Sequence, residues 1–192
     1  MTSPATGTPV FAINLPDAET TRDFGRTLAG LLRAGDLVML TGDLGAGKTT
    51  LTQGIGQGLG VRGQVASPTF VIARVHPSLA DGPALVHVDA YRLSSLEDVD
   101  ALDLDASLDD SVTVVEWGVG LVERLSRDRL EITVERPRGG TDLEAILADA
   151  EAGVRRVRVQ GFGQRWADVA IPGVVMTSPP PLPPTAPQKS VG

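Results

Sequence analysis

Along the chain, short apolar runs alternate with segments whose apolar residues recur at helical spacing, a rhythm that predicts strands alternating with helices around a sheet. Val10–Asn14 reads as a first strand. After Pro16, Asp17 is placed to cap a helix whose Phe24, Leu28, Leu31 and Leu32 share one face, with Gly35 as its stop. Leu37–Thr41 is a continuous apolar run, as expected of a strand buried on both faces. A glycine-rich turn follows, then a helix with Leu51, Ile55 and Leu59 in line. Gly54, Gly56 and Gly58 interrupt that helix, so either it is marginal until packed or something approaches its backbone closely. Later strands are expected at Thr69–Val75, Ala84–Asp89, Val112–Trp117, Leu130–Glu135 and Val154–Gln160. Ser94-x-x-Glu97 and Thr141-x-x-Glu144 read as capping boxes opening short helices. The fold class expected is α/β: a P-loop-type single domain with a central, mostly parallel or mixed sheet flanked by helices, and antiparallel strands at the C-terminal edge.

The boundaries follow from composition. Residues 1–9 are small and polar and read as a flexible N-terminus, residues 10–175 as the folded domain, and residues 176–192, with their run of prolines, as a disordered tail that can form neither ladder nor helix. Without a cysteine, the 192-residue chain has no disulfide framework, thiolate metal site or Cys nucleophile. No apolar run is long enough for a membrane span and no secretory leader is visible, so a soluble cytoplasmic protein is expected. A net charge of −7 argues against a domain that grips nucleic acid through phosphate contacts alone. Its positive charge is carried almost wholly by Arg, the lysines being Lys48 and Lys189.

Lys48 stands in Gly42-Asp-Leu-Gly-Ala-Gly-Lys-Thr49, which satisfies G-x-x-x-x-G-K-[ST] between an apolar strand and a helix. Glycines let backbone N–H groups turn inward around phosphate oxygens, and the helix adds the positive end of its dipole. In such a loop Lys48 reaches the β- and γ-phosphates and the Thr49 hydroxyl faces Mg²⁺. The base is better read as adenine than guanine. Asn14 is the only asparagine and Lys189 the only other lysine, so a guanine-reading N-K-x-D loop is absent.

A phosphate loop also needs an acid at the end of a neighbouring strand, and Asp89 and Glu116 both end apolar runs. Either acid alone could equally be the first solvated residue of its strand. His87 lies two positions before Asp89, where packing or orienting a neighbouring site residue is favoured over catalysis. Thr69, in Ser67-Pro-Thr-Phe70, reads equally as a sensor of the terminal phosphate or as a capped strand entry.

Four segments together, Gly42-Asp-Leu-Gly-Ala-Gly-Lys-Thr-Thr50, Ser67-Pro-Thr-Phe70, His87-Val-Asp-Ala-Tyr-Arg-Leu93 and Val115-Glu-Trp-Gly118, resemble the TsaE (YjeE) family in order and spacing, over about Val10 to Val134. These are small bacterial ATPases required for threonylcarbamoyladenosine at position 37 of tRNAs reading ANN codons. The resemblance implies ATP and Mg²⁺ as cofactors and a phosphate cradle from Asp43, Leu44, Gly45, Ala46, Gly47, Lys48, Thr49 and Thr50. It implies Thr49 and Glu116 on the metal side, Asp89 as the acid needed for hydrolysis with Lys48 and Thr69 beside it, and Trp117 next to the nucleotide. Tyr91 and Arg92 would face a partner or the phosphates, and Leu15–Thr21 would approach the nucleotide from the N-terminal side. The implied partner is the TsaB–TsaD heterodimer, with tRNA reached only indirectly through it and no membrane involved. Gly139–Gly153, which looks like an insertion, and the proline-rich tail depart from the family pattern. A small-molecule kinase and a nucleotide-gated binding module with slow hydrolysis are the alternative readings of the same loop.

Overall fold

The computed structural model describes residues 10–136, 153–173 and 175–177. Eight strands form one mixed sheet: β1 (Val10–Leu15), β2 (Leu37–Thr41), β3 (Ala73–His76), β4 (Ala84–Asp89), β5 (Ser111–Glu116), β6 (Arg129–Glu135), β7 (Arg155–Phe162) and β8 (Val175–Thr177), in the order β3-β4-β5-β2-β6-β7-β1-β8. The neighbours β4, β5, β2 and β6 run parallel, whereas β3 on one side and β7, β1 and β8 on the other run antiparallel. The expected mixed sheet with an antiparallel C-terminal edge is therefore present.

β2 is central, and its alternate residues enter two cores. Val38 and Leu40 join Phe24, Leu28, Leu51 and Ile55 under the helices α1 (Ala18–Ala29) and α2 (Lys48–Leu59). Leu37 and Met39 face the opposite layer with Val86, Val88, Val99 and Leu104, beneath the short helices α3 (Leu96–Asp100) and α4 (Asp105–Leu108). Burial on both faces explains the unbroken apolar run.

The glycines of α2 answer the question its sequence poses. A Cβ on Gly54 would lie 2.2 Å from the Arg22 carbonyl oxygen, and one on Gly58 would lie 2.5 Å from the Ala29 Cβ. Gly25 of α1 reciprocates, 2.5 Å from the Leu51 carbonyl oxygen. The two helices thus touch backbone to backbone, which fixes α2 against α1.

Several boundaries differ from the sequence reading. Asp17 caps α1, its carboxylate accepting from the Thr20 N–H at 2.8 Å, but the helix ends at Gly30 rather than Gly35. Leu31 and Leu32 continue in a tighter turn, donating to Leu28 and Ala29, and Gly35 supplies the positive φ of +91° that leads into β2. The cap of α3 is Ser95 with Asp98, one residue later than Ser94 and Glu97. β3 begins at Ala73, not Thr69, because the Pro68 carbonyl accepts from both Val71 and Ile72 and holds residues 69–72 in a turn. β8 runs to Thr177, two residues beyond the expected domain end at Val175. The Thr141 capping box, most of the Gly139–Gly153 segment, residues 1–9 and residues 178–192 lie outside the described residues. Among the described residues no helix is long and apolar enough to cross a membrane.

Candidate nucleotide site

The loop between β2 and α2 is shaped by its glycines. Gly42 has φ +141°, and a Cβ there would lie 2.1 Å from the Val134 carbonyl oxygen, so only glycine fits. Gly47, at φ +112°, caps α2 without any side-chain hydrogen bond, so the amides of its first turn remain available to an anion. Lys48 is the first residue of that helix and is 4% exposed. Its Nζ donates to the carbonyl oxygens of Gly42 at 2.8 Å and Asp43 at 2.9 Å, and lies 4.1 Å from the centre of the Trp117 ring. Burial pushes the ammonium below its ordinary range, while Glu116, Asp89 and Asp43 pull it back up.

Two acids reach the loop from adjacent parallel strands. Asp89 and Glu116 end β4 and β5 in direct register and are both buried. Glu116 Oε1 accepts from Thr49 Oγ1 at 3.0 Å and from His87 Nε2 at 2.9 Å. His87 is fully buried and its Nδ1 has no partner among the described residues, so the ring packs under the site and orients the carboxylate. Asp89 Oδ2 accepts from Thr69 Oγ1 at 2.8 Å, and Asp89 Oδ1 accepts from the Tyr91 N–H at 3.1 Å.

Both segments beside the acids carry backbone strain. Ile72, where the Ser67-Pro-Thr-Phe70 turn enters β3, has φ +69°, and its carbonyl accepts from the Asp89 N–H at 2.8 Å. Trp117 leaves β5 at φ +63°, its N–H donating to the Leu40 carbonyl at 3.2 Å. Left-handed φ is costly for β-branched and aromatic residues, by about 1–3 kcal/mol, and persists only where surrounding contacts impose it. Here it turns the Trp117 ring onto Lys48 and edge-on to Tyr91, 5.4 Å between ring centres.

A cavity of about 360 Å³ opens between the loop and the two acids. Of the residues singled out from sequence, Leu44, Gly45, Gly47, Lys48, Thr49, Thr50, Thr69, Asp89, Glu116 and Trp117 meet there. Ala46 does not; its methyl is buried in the core under α1 and α2. Asp43 borders a neighbouring cavity of about 650 Å³, with Gly42, Arg136 and Arg156 among its other walls. Leu15–Thr21 forms the end of β1 and the start of α1, and the Asp17 carboxylate there is taken up by its cap. Arg92 is exposed beside Tyr91. Sequence reasoning missed Arg155, which also lines the cavity. The available signal was its phase: in Arg-Arg-Val-Arg-Val, Arg155 falls on the same strand face as Val157 and Val159.

Among the described residues no group of three or more His, Asp and Glu is arranged to hold a metal alone. One buried carboxylate beside a loop threonine suits Mg²⁺, which keeps waters and takes most of its remaining ligands from phosphate oxygens.

Comparison with known proteins gives a consistent result. A family model described as threonylcarbamoyl adenosine biosynthesis protein TsaE matches residues 15–142. A Streptomyces coelicolor protein named tRNA threonylcarbamoyladenosine biosynthesis protein TsaE is 63% identical over 153 residues, covering 78% of this chain and 97% of that one. A Mycobacterium tuberculosis protein of the same name is 50% identical over 129 residues, 64% of this chain and 77% of its own. The crystal structure of Bacillus subtilis YdiB, a P-loop NTPase fold, superposes with a TM-score of 0.60 at 29% identity, covering 83% of this chain and 90% of the other. With the phosphate loop, the paired strand-end acids and these matches in agreement, the chain belongs to the TsaE family of threonylcarbamoyladenosine biosynthesis proteins.

Proposed function

We propose that the chain is a Mg²⁺-dependent ATPase that acts on the TsaB–TsaD heterodimer in forming threonylcarbamoyladenosine at position 37 of tRNAs reading ANN codons. The observation that carries the reading is the convergence of Lys48, Thr49, Glu116 and Asp89 on one cavity at the ends of β2, β4 and β5. In this reading the first-turn amides of α2 and Lys48 bind the triphosphate, Lys48 exchanging a loop carbonyl for a phosphate oxygen. Thr49 and Glu116 would hold the metal, already paired at 3.0 Å. When bound, Mg²⁺ neutralises charge developing on the β- and γ-oxygens. Asp89 orients the attacking water, and Thr69, which donates to it, reports on the terminal phosphate. The lack of a guanine-reading loop favours ATP.

Partner engagement is supported by the lip of the cavity. Leu44 is 93% exposed and Phe70 91%, and Val71, Tyr91 and Val119 are exposed as well. Apolar side chains so placed around a polar site suit a surface covered by another protein. A net charge of −7 suits a chain that meets tRNA through the heterodimer rather than by its own phosphate contacts, and the reading puts that assembly in the cytoplasm.

The test is phosphate release and modified-tRNA yield from the purified chain with TsaB–TsaD, alongside Lys48→Ala. ATP-dependent yield that Lys48→Ala abolishes supports the reading. Full modification without the chain, or unchanged ATP affinity in Lys48→Ala, refutes it.

A further inference from the structure

Arg155 is left unused by that reading. β7 turns Arg155, Val157 and Val159 toward the core under α1 and α2, so a cation opens a row of buried valines. It is 6% exposed. On one side it pairs across the sheet with Leu15 of β1. On the other lies Gly47, where a Cβ would sit 2.9 Å from Arg155 Nε and 3.2 Å from its Cδ, so the guanidinium abuts the residue that caps α2. Arg155 Nη1 donates to the Gly153 carbonyl at 2.8 Å, but the buried Nε–H has no acceptor among the described residues. Among the described residues no carboxylate lies within ion-pair distance of it. Burial, and to a lesser degree the charges of Arg136 and Arg22, push the guanidinium below its ordinary range, opposed by Asp17.

A buried cation with an unused donor is unfavourable unless an anion completes it. The amides that open α2 mark the same spot as an anion site. Glu116 and Asp89 approach the loop from β5 and β4, on one side of β2, whereas Arg155 approaches from β7, on the other. The arginine therefore stands away from the acids that would serve the transferred phosphate. We infer that Arg155 is a phosphate-binding residue of this site, its Nε–H donating to an oxygen of the nucleotide's non-transferred phosphates on the Gly47 side. It complements Lys48: a fixed, planar donor holds the phosphates that stay while a flexible point charge follows the one that leaves. Replacing Gly47 with any larger residue would strike this guanidinium.

The inference rests on the nucleotide occupying this cavity, and its test separates the two. ATP and ADP are titrated into the full chain and into Arg155→Gln and Arg155→Lys, with thermal unfolding followed with and without ADP. Arg155→Gln is expected to weaken ATP and ADP alike by about tenfold to a hundredfold, with Arg155→Lys between. Without nucleotide its Tm should hold or rise, and the upward shift given by ADP should shrink. Wild-type affinity in Arg155→Gln overturns the inference. So does a lowered Tm with the ADP-induced shift intact, which marks a packing role. If Arg155→Gln does not fold, Arg155→Lys decides: weaker ADP binding at unchanged Tm supports the inference, and wild-type binding overturns it. A wild-type chain that binds neither nucleotide overturns the ATPase reading itself.

Discussion

Thr69 Oγ1 donates a 2.8 Å hydrogen bond to Asp89 Oδ2, tying the Ser67-Pro-Thr-Phe70 turn to the acid that ends β4. Ser67 Oγ lies 2.7 Å from the same threonine hydroxyl, so the two side chains form a short relay at the mouth of the cavity. Strain at Ile72 immediately follows. Backbone strain of this kind recurs in segments that switch between two arrangements, and in the reading proposed above this turn is the element that responds to a terminal phosphate.

Thr69→Val keeps the β-branched shape but removes the donor. Hydrolysis at saturating ATP is expected to fall by about tenfold to a hundredfold, the scale of losing an oriented acid or base contact. ATP affinity should change little, because the phosphate cradle is intact, and Thr69→Ser should recover most of the rate. Single-turnover phosphate release with a parallel binding titration checks this. Equal losses in affinity and rate would assign Thr69 to ground-state binding instead.

Glu116 accepts from Thr49 and His87 through the same oxygen, Oε1. The partner groups thereby fix the carboxylate, while Oε2 has no hydrogen-bond partner among the described residues. Glu116→Gln retains an acceptor and removes the charge. The gain in ATP affinity that Mg²⁺ provides should shrink by about tenfold or more, whereas affinity in excess EDTA should stay the same or improve as a repulsive charge is lost. Titrating a fluorescent ATP analogue with and without Mg²⁺ reads both. An unaltered Mg²⁺ effect would place the metal elsewhere.

The interface of α1 and α2 makes a prediction opposite to helix propensity. Gly54→Ala should gain about 1 kcal/mol of helix propensity. Its methyl, however, would lie 2.2 Å from a backbone oxygen that cannot rotate away, and such overpacking costs about 1–3 kcal/mol or more. A net fall in Tm of several degrees is expected, together with weaker ATP binding if the start of α2 cradles the phosphates as proposed. Gly30→Ala is the control: its φ is −64° and its Cβ would meet only the Thr27 carbonyl oxygen at 3.4 Å, so Tm should hold or rise. Thermal melts of the two variants side by side decide it.

What could be read from the residues follows the strength of local signals. The continuous run of β2 and the glycine-rich loop after it have few competing solutions, and both form where expected. Thr69–Val75 carries the composition of a strand, yet Pro68 offers its carbonyl to Val71 and Ile72 and bends the first half into a turn. Asp89 and Glu116 were recognisable singly as strand-end acids. That they stand side by side, and that His87 reaches Glu116 rather than Asp89, depends on the parallel register of β4 and β5, which no local pattern encodes. Arg155 was hidden for a related reason. An arginine opening a strand ordinarily meets solvent, and only the place of β7 in the sheet, across β6 from β2, brings it against Gly47.

Trp117 provides an optical report on Lys48. The lysine Nζ lies 4.1 Å from the ring centre while donating to Gly42 and Asp43. Two of its three donors are spent on these carbonyls, and in the proposed reading one of them is exchanged for a β- or γ-phosphate oxygen. Nucleotide binding should therefore move the cation relative to the indole and change its emission. The other tryptophan, Trp166, is buried near the far end of β7 under Arg165 and should be insensitive. Three variants settle the assignment. Trp166→Phe is expected to retain the full ATP-dependent change and Trp117→Phe to lose it, whereas Lys48→Arg, whose bulkier head group cannot follow the same path, should bind ATP weakly and give little change. A signal that survives in Trp117→Phe would mean that nucleotide binding is felt at Trp166, and hence that the sheet beyond β6 moves with the phosphate loop.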